Sequence, residues 1–441
     1  MPPGMPSADQ SAGARAQDNN LSEDKINGKI KGMGVSDTYR IAVVGGSIAG
    51  CAAAVELSRA GHKVKVFERS ATELVSQGAG IIAPAEVFRG MVARNLLPED
   101  HPRCSVTVAR YVRRDGDRAE GRWLGDVDFN LTTVSWADLF HELRRQAPPG
   151  AYHNGIEVHG LASDNDAAFV TMKTSEGTHE QFDLIVFADG YRSLGRRIVA
   201  PGTNLRYRGL VFWRGLISSA EADIDRLDGA VTRVVYPGGH GAVYLIPAAR
   251  EAAVPGNRTA MWGYYLPVPA DTLSSVLTDT HGRQHHGSVP SGQVRPDVTE
   301  AFSERLAELI PAYFLSLIER TAHTSIQAIY SAEVPAYARG RLCLTGDAGT
   351  VFPPFSGSGV LKAIGNATSL HDSLAAATIG QGLSAWSKQQ QATIEALQPV
   401  AERIGKNLIS EIPDLTSLSA ADSYSWLSAI HPGAHITLPG K

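Results

Sequence analysis

The segment YRIAVVGGSIAG, residues 39–50, decides the fold. Its apolar start predicts a buried strand, and its glycine-rich turn leads into an alanine-rich helical stretch from Ile48 to Ala60. Gly61 stands where a helix C′ glycine belongs, and KVKVFER, residues 63–69, alternates as a second strand. A strand, a turn, a helix and a strand within about 30 residues predict two parallel strands joined by a right-handed crossover.

The turn between the first strand and the helix has the pattern that holds a pyrophosphate. Gly45, Ser47 and Gly50 align with GxGxxG, with serine in place of the second glycine. Gly45 permits the tight turn, Gly50 lets helix and strand pack closely, and the helix N-terminus favours an anion. Glu68 ends the second strand, where a carboxylate can accept hydrogen bonds from a ribose; a surface ion pair is the alternative. This unit predicts dinucleotide binding without separating NAD from FAD.

Two later motifs separate these cofactors. DLIVFADGYRSLGRR, residues 183–197, ends a strand at Asp189, and RLCLTGDAGTVFPPFSGSGVLKAIGNA, residues 341–367, ends another at Asp347. An aspartate at the carboxyl end of a strand can hold a ribityl hydroxyl, and the following helix N-terminus offers amides to a phosphate or to the electron-rich edge of a flavin. Each motif alone fits an ordinary strand-to-helix turn, but the three in this order predict FAD.

Together the motifs resemble the group A flavoprotein aromatic hydroxylases, which have the p-hydroxybenzoate hydroxylase-like fold, over about residues 38–400. VVGGSIAG, YRG and VFWRGLI are most similar to the branch that hydroxylates 2,6-dihydroxypyridine at position 3. The resemblance implies an α/β fold, in which a Rossmann-like FAD-binding domain of the glutathione reductase type carries an inserted antiparallel β-sheet substrate domain and a C-terminal helix. It also implies one FAD, with NADH or NADPH as a transient electron donor and no permanent site for it. Oxygen would add at the flavin C4a atom, and the flavin hydroperoxide would hydroxylate a small electron-rich aromatic or heteroaromatic substrate.

The pattern along the chain gives the expected domain boundaries. Alternating aromatic strands between residues 207 and 267 predict the antiparallel sheet, and residues 1–37 are polar and predict a disordered tail rather than a signal peptide. The predicted segments are 38–85, 130–200 and 330–380 for the FAD-binding domain, 86–129 and 201–329 for the substrate-binding domain, 381–411 for the C-terminal helix, and 412–441 for an irregular tail.

Candidate site residues follow from the motifs and from the resemblance. The predicted cofactor contacts are Gly45, Ser47, Ile48, Ala49, Gly50, Glu68, Arg69, Asp189, Arg196, Gly346, Asp347, Pro354, Gly357, Gly359 and Val360. The candidates to bind or polarise the substrate are Arg214, Tyr236, His240, Tyr244, Trp262, Tyr265 and Pro354. Since strand alternation sends only some of these to the inner face, core packing is the alternative for each aromatic. Trp136 and Asn366 depart from the family, which commonly has an arginine and an acidic residue at these places.

Composition excludes several other classes. A formal net charge of −4 gives no global reason to expect nucleic acid or membrane as a partner, and three scattered cysteines indicate reduced thiols in a cytoplasmic protein. His281, His285 and His286 stand close together, but their polar, irregular surroundings do not predict a metal site. A halogenase would need a WxWxIP stretch, which is absent. Epoxidation or Baeyer–Villiger oxidation of a natural-product scaffold, an FAD oxidoreductase without oxygen insertion, and a flavin-dependent sensor stay as alternatives. The substrate, the choice of NADH or NADPH and a homodimeric state are open.

Overall fold

The computed structural model describes residues 38–72, 74, 78–162, 168–177, 180–248 and 258–439. The tail predicted over residues 1–37 lies outside this part of the chain. Within it, the strands in chain order are β1 (Arg40–Val44), β2 (Lys63–Glu68), β3 (Gly80–Pro84), β4 (Cys104–Arg113), β5 (Arg122–Ser135), β6 (Tyr152–Asn154), β7 (Val158–Leu161), β8 (Val170–Thr174), β9 (Gln181–Phe182), β10 (Leu184–Phe187), β11 (Arg206–Ser218), β12 (Ala230–Tyr236), β13 (Gly239–Pro247), β14 (Arg258–Pro267), β15 (Ser288–Val289), β16 (Thr324–Ser331), β17 (Ala338–Arg339), β18 (Leu342–Leu344) and β19 (Ile436–Thr437).

The same part of the chain forms the α-helices α1 (Ile48–Arg59), α2 (Ala85–Ala93), α3 (Trp136–Gln146), α4 (Leu194–Val199), α5 (Leu273–Val276), α6 (Pro296–Ala307), α7 (Ala312–Glu319), α8 (Ser358–Ala376), α9 (Ile379–Gly405) and α10 (Ala420–Ile430). Short 3₁₀ turns cover Asp225–Leu227, Gly346–Ala348 and Pro354–Ser356, and a π-helical turn, Lys406–Ser410, ends α9. No helix of the described residues is long and apolar enough to cross a membrane.

The predicted β-α-β unit forms the centre of a six-stranded sheet with the order β17-β18-β10-β1-β2-β6. Strand β1 pairs in parallel with β2 and β10, and β10 pairs in parallel with β18. The strands β10 and β18 are buried throughout, as expected of a parallel sheet covered on both faces. Because β1, β10 and β18 run in one direction, the turns that begin at Gly45, Ala188 and Thr345 meet at one edge of this sheet.

A second, larger sheet has the order β15-β16-β11-β14-β13-β12-β4-β5-β19, with β3 added beside β5. One face, here called the helix-covered face, buries Trp213, Trp262 and Tyr264 against α6 and α7. The other, here called the cavity face, carries Phe212, Tyr244 and Tyr265, which pack with Phe355. Side chains alternate between these faces along each strand, so a single register fixes which residues face a ligand.

The C-terminal region is more ordered than its sequence predicts. Residues 412–441 were expected to be irregular, but α10 begins with a capping box between Ser419 and Asp422, and β19 pairs with β5. Trp426 packs edge-on against Tyr111, with ring centroids 5.7 Å apart, and thereby fixes α10 on the large sheet. The serine- and proline-rich composition concealed a helix whose apolar side is short. The expectation of an irregular tail was therefore wrong over Ala420–Ile430.

Two other segments contain elements that the sequence pattern did not show. Residues 86–129 include β4 and most of β5, and β5 runs through the predicted domain boundary at residue 130. The turn-rich stretch over residues 268–297 contributes β15, which pairs with β16 at the edge of the large sheet. The domain division proposed from sequence stays a prediction.

Candidate active site

The glycine-rich turn after β1 forms a cradle that has no room for side chains. Gly45 has a φ of +97°, and a Cβ atom there would lie 2.4 Å from the carbonyl oxygen of Ala188. A Cβ on Gly50 would lie 1.9 Å from the carbonyl oxygen of Gly45. Helix α1 begins at Ile48 with no acidic residue in its first turn, so its amide groups and dipole are free to attract an anion. The cradle therefore fits a pyrophosphate held against bare backbone.

Glu68 closes the other side of this cradle. Its carboxylate accepts hydrogen bonds from the backbone amides of Gly46, at 2.8 Å, and Ser70, at 2.9 Å. The side chain is buried, and the Tyr152 hydroxyl beside it donates to the carbonyl oxygen of Gly46 at 2.8 Å. Glu68 thus fixes the turn and is placed where the sequence predicts the adenosine ribose. The neighbouring Arg69 is exposed.

Asp189 and Arg196 hold the second motif together. The Asp189 carboxylate accepts hydrogen bonds from the Ser193 hydroxyl at 2.5 Å and from the Leu194 amide at 2.6 Å, at the start of α4. Burial raises the pKa of Asp189, while these hydrogen bonds oppose the rise. Arg196 reaches across to the third motif and donates to the carbonyl oxygens of Asp347, at 3.0 Å, and Gly349, at 3.2 Å. Both residues fix the turns against each other, and their direct contact with FAD stays a prediction.

The third motif contains an ion pair, buried on its lysine side, that the sequence did not reveal. Lys362, in α8, places its ammonium 2.9 Å from a carboxylate oxygen of Asp347 and also donates to the carbonyl oxygen of Thr350. The Lys362 side chain is 1% exposed, whereas that of Asp347 is 49% exposed. Asp347 therefore presents one side to the lysine and the other to the adjoining cavity. The only sequence signal for this pair is the charge in the otherwise apolar VLKAIG.

Asn366 shows how the chain accommodates its departure from the family. Its side-chain oxygen accepts a hydrogen bond from the Gly346 amide at 2.8 Å, and its amide group donates to Gln390 at 2.6 Å. The neutral side chain thus anchors the turn that carries Asp347. Trp136, the other departure, stacks on Phe140 with ring centroids 5.3 Å apart.

The edge where the motifs meet fits FAD. The buried hydroxyl groups of Thr345 and Thr350 flank the Asp347 turn and have no hydrogen-bond partner among the described residues. Gly357, with a φ of +66°, precedes α8, whose N-terminus faces the same region. A pyrophosphate cradle, two unpaired hydroxyls and a second helix N-terminus match the phosphates, the ribityl chain and the electron-rich ring of a flavin.

A cavity of about 200 Å³ lies between the cavity face of the large sheet and the loop that precedes α8. Arg214, Tyr244 and Tyr265 line it, and Pro354, Gly357, Gly359 and Val360 close it from the loop side. The Tyr265 ring meets Phe355 edge-on at 5.5 Å, which ties this loop to the sheet. The cavity thus adjoins the helix N-terminus at which a flavin ring is expected.

Three of the aromatic candidates do not line the cavity. Tyr236 and Trp262 lie on the helix-covered face, where Tyr236 donates to the carbonyl oxygen of Tyr265 at 2.9 Å and Trp262 donates to Thr321 at 2.8 Å. The prediction that these two residues contact the substrate in this cavity is wrong, because strand alternation points both side chains away from it. His240 lies on the cavity face but is fully buried, with its ring 4.8 Å from that of Tyr265. Burial, with the nearby Arg233 charge, lowers the pKa of His240 well below its usual range.

Arg233 is a cavity residue that sequence reasoning missed. It lies on β12 and donates to the His240 Nε2 atom at 3.3 Å. Because a guanidinium has no acceptor, the imidazole nitrogen must accept, which agrees with a neutral His240. The signal was present as a lone charge in AVTRVVY, but a charge in a strand also fits a solvent-facing position.

A second cavity of about 210 Å³ lies on the other side of the same loop. Asp347, Lys362, Tyr191 and Phe352 line it, and it shares Gln327, Pro354 and Gly359 with the first. The predicted cofactor turn and the substrate cavity therefore have a common wall. The described residues contain no group of three or more metal-ligating side chains, and His285 instead lies 2.8 Å from the carboxylate of Asp279.

The fold and the site define a flavoprotein, because a dinucleotide cradle and a flavin-sized edge adjoin a ring-sized cavity. Two family models agree, one described as FAD binding domain-like over residues 207–331 and one as an NAD(P)-binding Rossmann-like domain over residues 43–72. The chain is 30% identical to 3-amino-4-hydroxybenzoate 2-monooxygenase of Streptomyces platensis over 363 residues, which cover 78% of this chain and 81% of that protein. The chain belongs to the FAD-dependent aromatic hydroxylase family.

Other relatives agree with this assignment. The 2,6-dihydroxypyridine 3-monooxygenase of Paenarthrobacter nicotinovorans is 28% identical over 336 residues, 76% of this chain and 82% of that protein. The solved structure of 2,6-dihydroxypyridine-3-hydroxylase from Arthrobacter nicotinovorans superposes with a TM-score of 0.78 and 26% identity, covering 87% of this chain and 96% of that one. A salicylate hydroxylase substrate complex shares the fold, with a TM-score of 0.66 at 17% identity over 88% of this chain and 93% of that one. The predictions of an FAD-dependent monooxygenase and of its fold are confirmed.

Proposed function

We propose that this monooxygenase hydroxylates a single electron-rich ring that carries an acidic hydroxyl or a carboxylate. The cavity beside the α8 N-terminus supports the proposal, because its described lining contains two arginines and no carboxylate. Relatives named for dihydroxypyridine, aminohydroxybenzoate and salicylate act on substrates of this kind. A volume of about 200 Å³ suits one ring better than the drug-sized ligands that fill pockets of about 300 Å³ or more.

The residues that would hold FAD follow from the three turns. The cradle formed by Gly45, Ser47 and Gly50 would take the pyrophosphate, Glu68 the adenosine ribose, and Asp347 the ribityl chain. Bound FAD, once reduced by NADH or NADPH, supplies the electrons and the activated oxygen for the hydroxylation. These assignments rest on the glycine cradle and on the hydroxyls of Thr345 and Thr350, for which the described residues provide no hydrogen-bond partner.

The protein itself makes the substrate ring more electron-rich and excludes water from it. A guanidinium beside a ring hydroxyl lowers the pKa of that hydroxyl and favours its deprotonated form. The ring of the deprotonated substrate is more nucleophilic than that of the protonated substrate. Arg214 lines the cavity and can take this role. Burial lowers the pKa of Arg214, but the ordinary pKa of arginine is so high that the side chain keeps its charge at neutral pH. Burial raises the pKa of Tyr244 to about 12, so its hydroxyl stays protonated. That hydroxyl donates to the carbonyl oxygen of Gly80 at 3.2 Å and closes one end of the cavity.

A screen for substrate-stimulated oxidation of NADH and NADPH tests this function. Hydroxypyridines, hydroxybenzoates and aminohydroxybenzoates should stimulate the FAD-loaded enzyme, and the corresponding rings without an acidic group should not. Stimulation only by neutral polycyclic compounds would contradict the proposal and favour epoxidation or Baeyer–Villiger chemistry. Equal oxidation with and without any ring would favour an oxidoreductase that inserts no oxygen.

A further inference from the structure

Arg214 and Arg233 lie in one row across four neighbouring strands. Arg214 on β11 pairs with Gly263 on β14, Gly263 pairs with Ala242 on β13, and Ala242 pairs with Arg233 on β12. Directly paired residues point to the same side of a sheet, so both guanidiniums rise from the cavity face. Since neighbouring strands lie about 4.8 Å apart, three steps separate the two Cα atoms by about 14 Å.

The floor between the arginines is flat and aromatic. The two residues between them in the row are glycine and alanine, and a Cβ on Gly263 would lie 2.1 Å from the Phe212 ring. The Phe212 ring therefore covers the glycine and stacks on Tyr265 with ring centroids 4.5 Å apart. An aromatic platform between two cations suits a planar ring with acceptor atoms at two of its edges.

Within the part of the chain that the structure describes, neither arginine has a carboxylate partner. Among the described residues, Arg214 donates to the Ser325 hydroxyl at 3.3 Å, and Arg233 contacts the imidazole of His240. The described lining of the cavity includes no acidic side chain. Partly buried cations without counter-charges are costly, and an anionic ligand removes that cost.

Both charges act on the same space. Burial raises the pKa of Tyr244 and that of Tyr265, and the positive charges of Arg214 and Arg233 both oppose this rise. These tyrosines line the cavity beside the arginine row, so the fields of the two arginines overlap where a ring would lie. By contrast, the Lys362 ammonium in the neighbouring cavity is already paired with Asp347.

We propose that Arg214 and Arg233 together select rings that carry two oxygen acceptor groups on opposite edges, with at least one of them anionic. The proposal rests on the proposed function, because it specifies the substrate of the same cavity. One guanidinium holds each group, and the ring lies over Phe212 between them. A ring with a single acidic group leaves one guanidinium without a contact to the substrate and binds more weakly.

Equilibrium titration of the FAD-loaded enzyme with terephthalate and with benzoate tests the proposal, with the change in flavin absorbance as the signal. Terephthalate carries two carboxylates on opposite edges, and benzoate carries one. Because terephthalate adds one hydrogen-bonded contact between charged groups, it should bind about tenfold or more tightly than benzoate. Arg214→Gln and Arg233→Gln should each abolish this preference, and Arg233→Lys should retain part of it. Arg208→Gln, an exposed arginine on the same strand as Arg214, should leave both affinities unchanged.

The wild-type enzyme alone can overturn the proposal. It does so if terephthalate and benzoate bind with equal affinity, or if neither binds measurably. A preference for terephthalate that survives Arg233→Gln overturns it as well. Failure of the proposed function has a different signature, because no acidic ring would then stimulate NADH or NADPH oxidation. If hydroxylation of an acidic ring persists while the preference is absent, only the role of the paired arginines is lost.

Discussion

The ion pair between Asp347 and Lys362 predicts unequal costs for removing its two members. The lysine side chain is 1% exposed and the aspartate side chain is 49% exposed. Asp347→Ala leaves a buried ammonium with one carbonyl oxygen, that of Thr350, as its partner. Lys362→Met leaves a carboxylate that water already reaches, and the methionine fills the same space with an apolar chain.

The magnitudes follow from the burial of each group. Breaking a fully buried pair costs about 3–5 kcal/mol, and water on the Asp347 side lowers this, so we expect about 2–3 kcal/mol for Asp347→Ala. We expect about 1 kcal/mol or less for Lys362→Met, since a well-packed apolar replacement of a buried charge is often nearly neutral. The double variant should be more stable than Asp347→Ala alone, because it removes the isolated ammonium.

Urea unfolding of the FAD-free protein measures these differences without a contribution from cofactor binding. The three variants and the wild type form a double-mutant cycle, and Lys388→Met on α9 serves as an exposed control that should change little. A loss for Lys362→Met equal to that for Asp347→Ala would refute the reasoning. So would a double variant that is less stable than either single variant.

The cofactor turns and the end of helix α10 give three further tests. Gly50→Ala places a Cβ 1.9 Å from a backbone oxygen and should yield protein without visible flavin absorbance, while Gly365→Ala, where a Cβ meets open space, should retain FAD. Asn366→Leu should lower the free energy of unfolding by about 1–3 kcal/mol in urea, because the buried Gly346 amide loses its acceptor; no change would remove the anchoring role. His431 directly follows α10, and its Nε2 atom lies 2.6 Å from the Tyr111 hydroxyl. Burial lowers the pKa of His431 from 6.5 to about 4, so the unfolded chain binds the proton more readily. Stability should therefore fall by up to about 3 kcal/mol as the pH drops from 6.5 towards 4, and a His431→Gln variant with the same pH dependence would contradict this.

The cofactor half of the molecule was predictable because its constraints are local. The glycines at positions 45 and 50 are required by close backbone approaches, so a short pattern reveals them. The strand-to-helix turns at Asp189 and Asp347 were located for the same reason. The side chains that fix the Asp347 turn were harder to predict, because Arg196 comes from the second motif and Lys362 from the first turns of α8.

The substrate half was less predictable because it depends on the pairing of distant strands. Alternation shows that two faces exist, but the sequence does not say which face covers a cavity, so the pattern alone does not separate Tyr236 and Trp262 from Tyr244 and Tyr265. The position of Arg233 on the same face and in the same row as Arg214 follows only from the pairing of four strands. Helix α10 was missed because its capping box stands in a serine-rich stretch that also fits a loop.

Hydroxylation under ¹⁸O₂ tests the central claim most directly. The FAD-loaded enzyme is supplied with NADH or NADPH and an acidic ring that stimulates its oxidation, and the product is analysed by mass spectrometry. The account predicts that one labelled oxygen atom enters the ring for each molecule of product formed. Unlabelled product, or oxygen recovered entirely as hydrogen peroxide with the ring unchanged, would contradict the assignment as an aromatic hydroxylase.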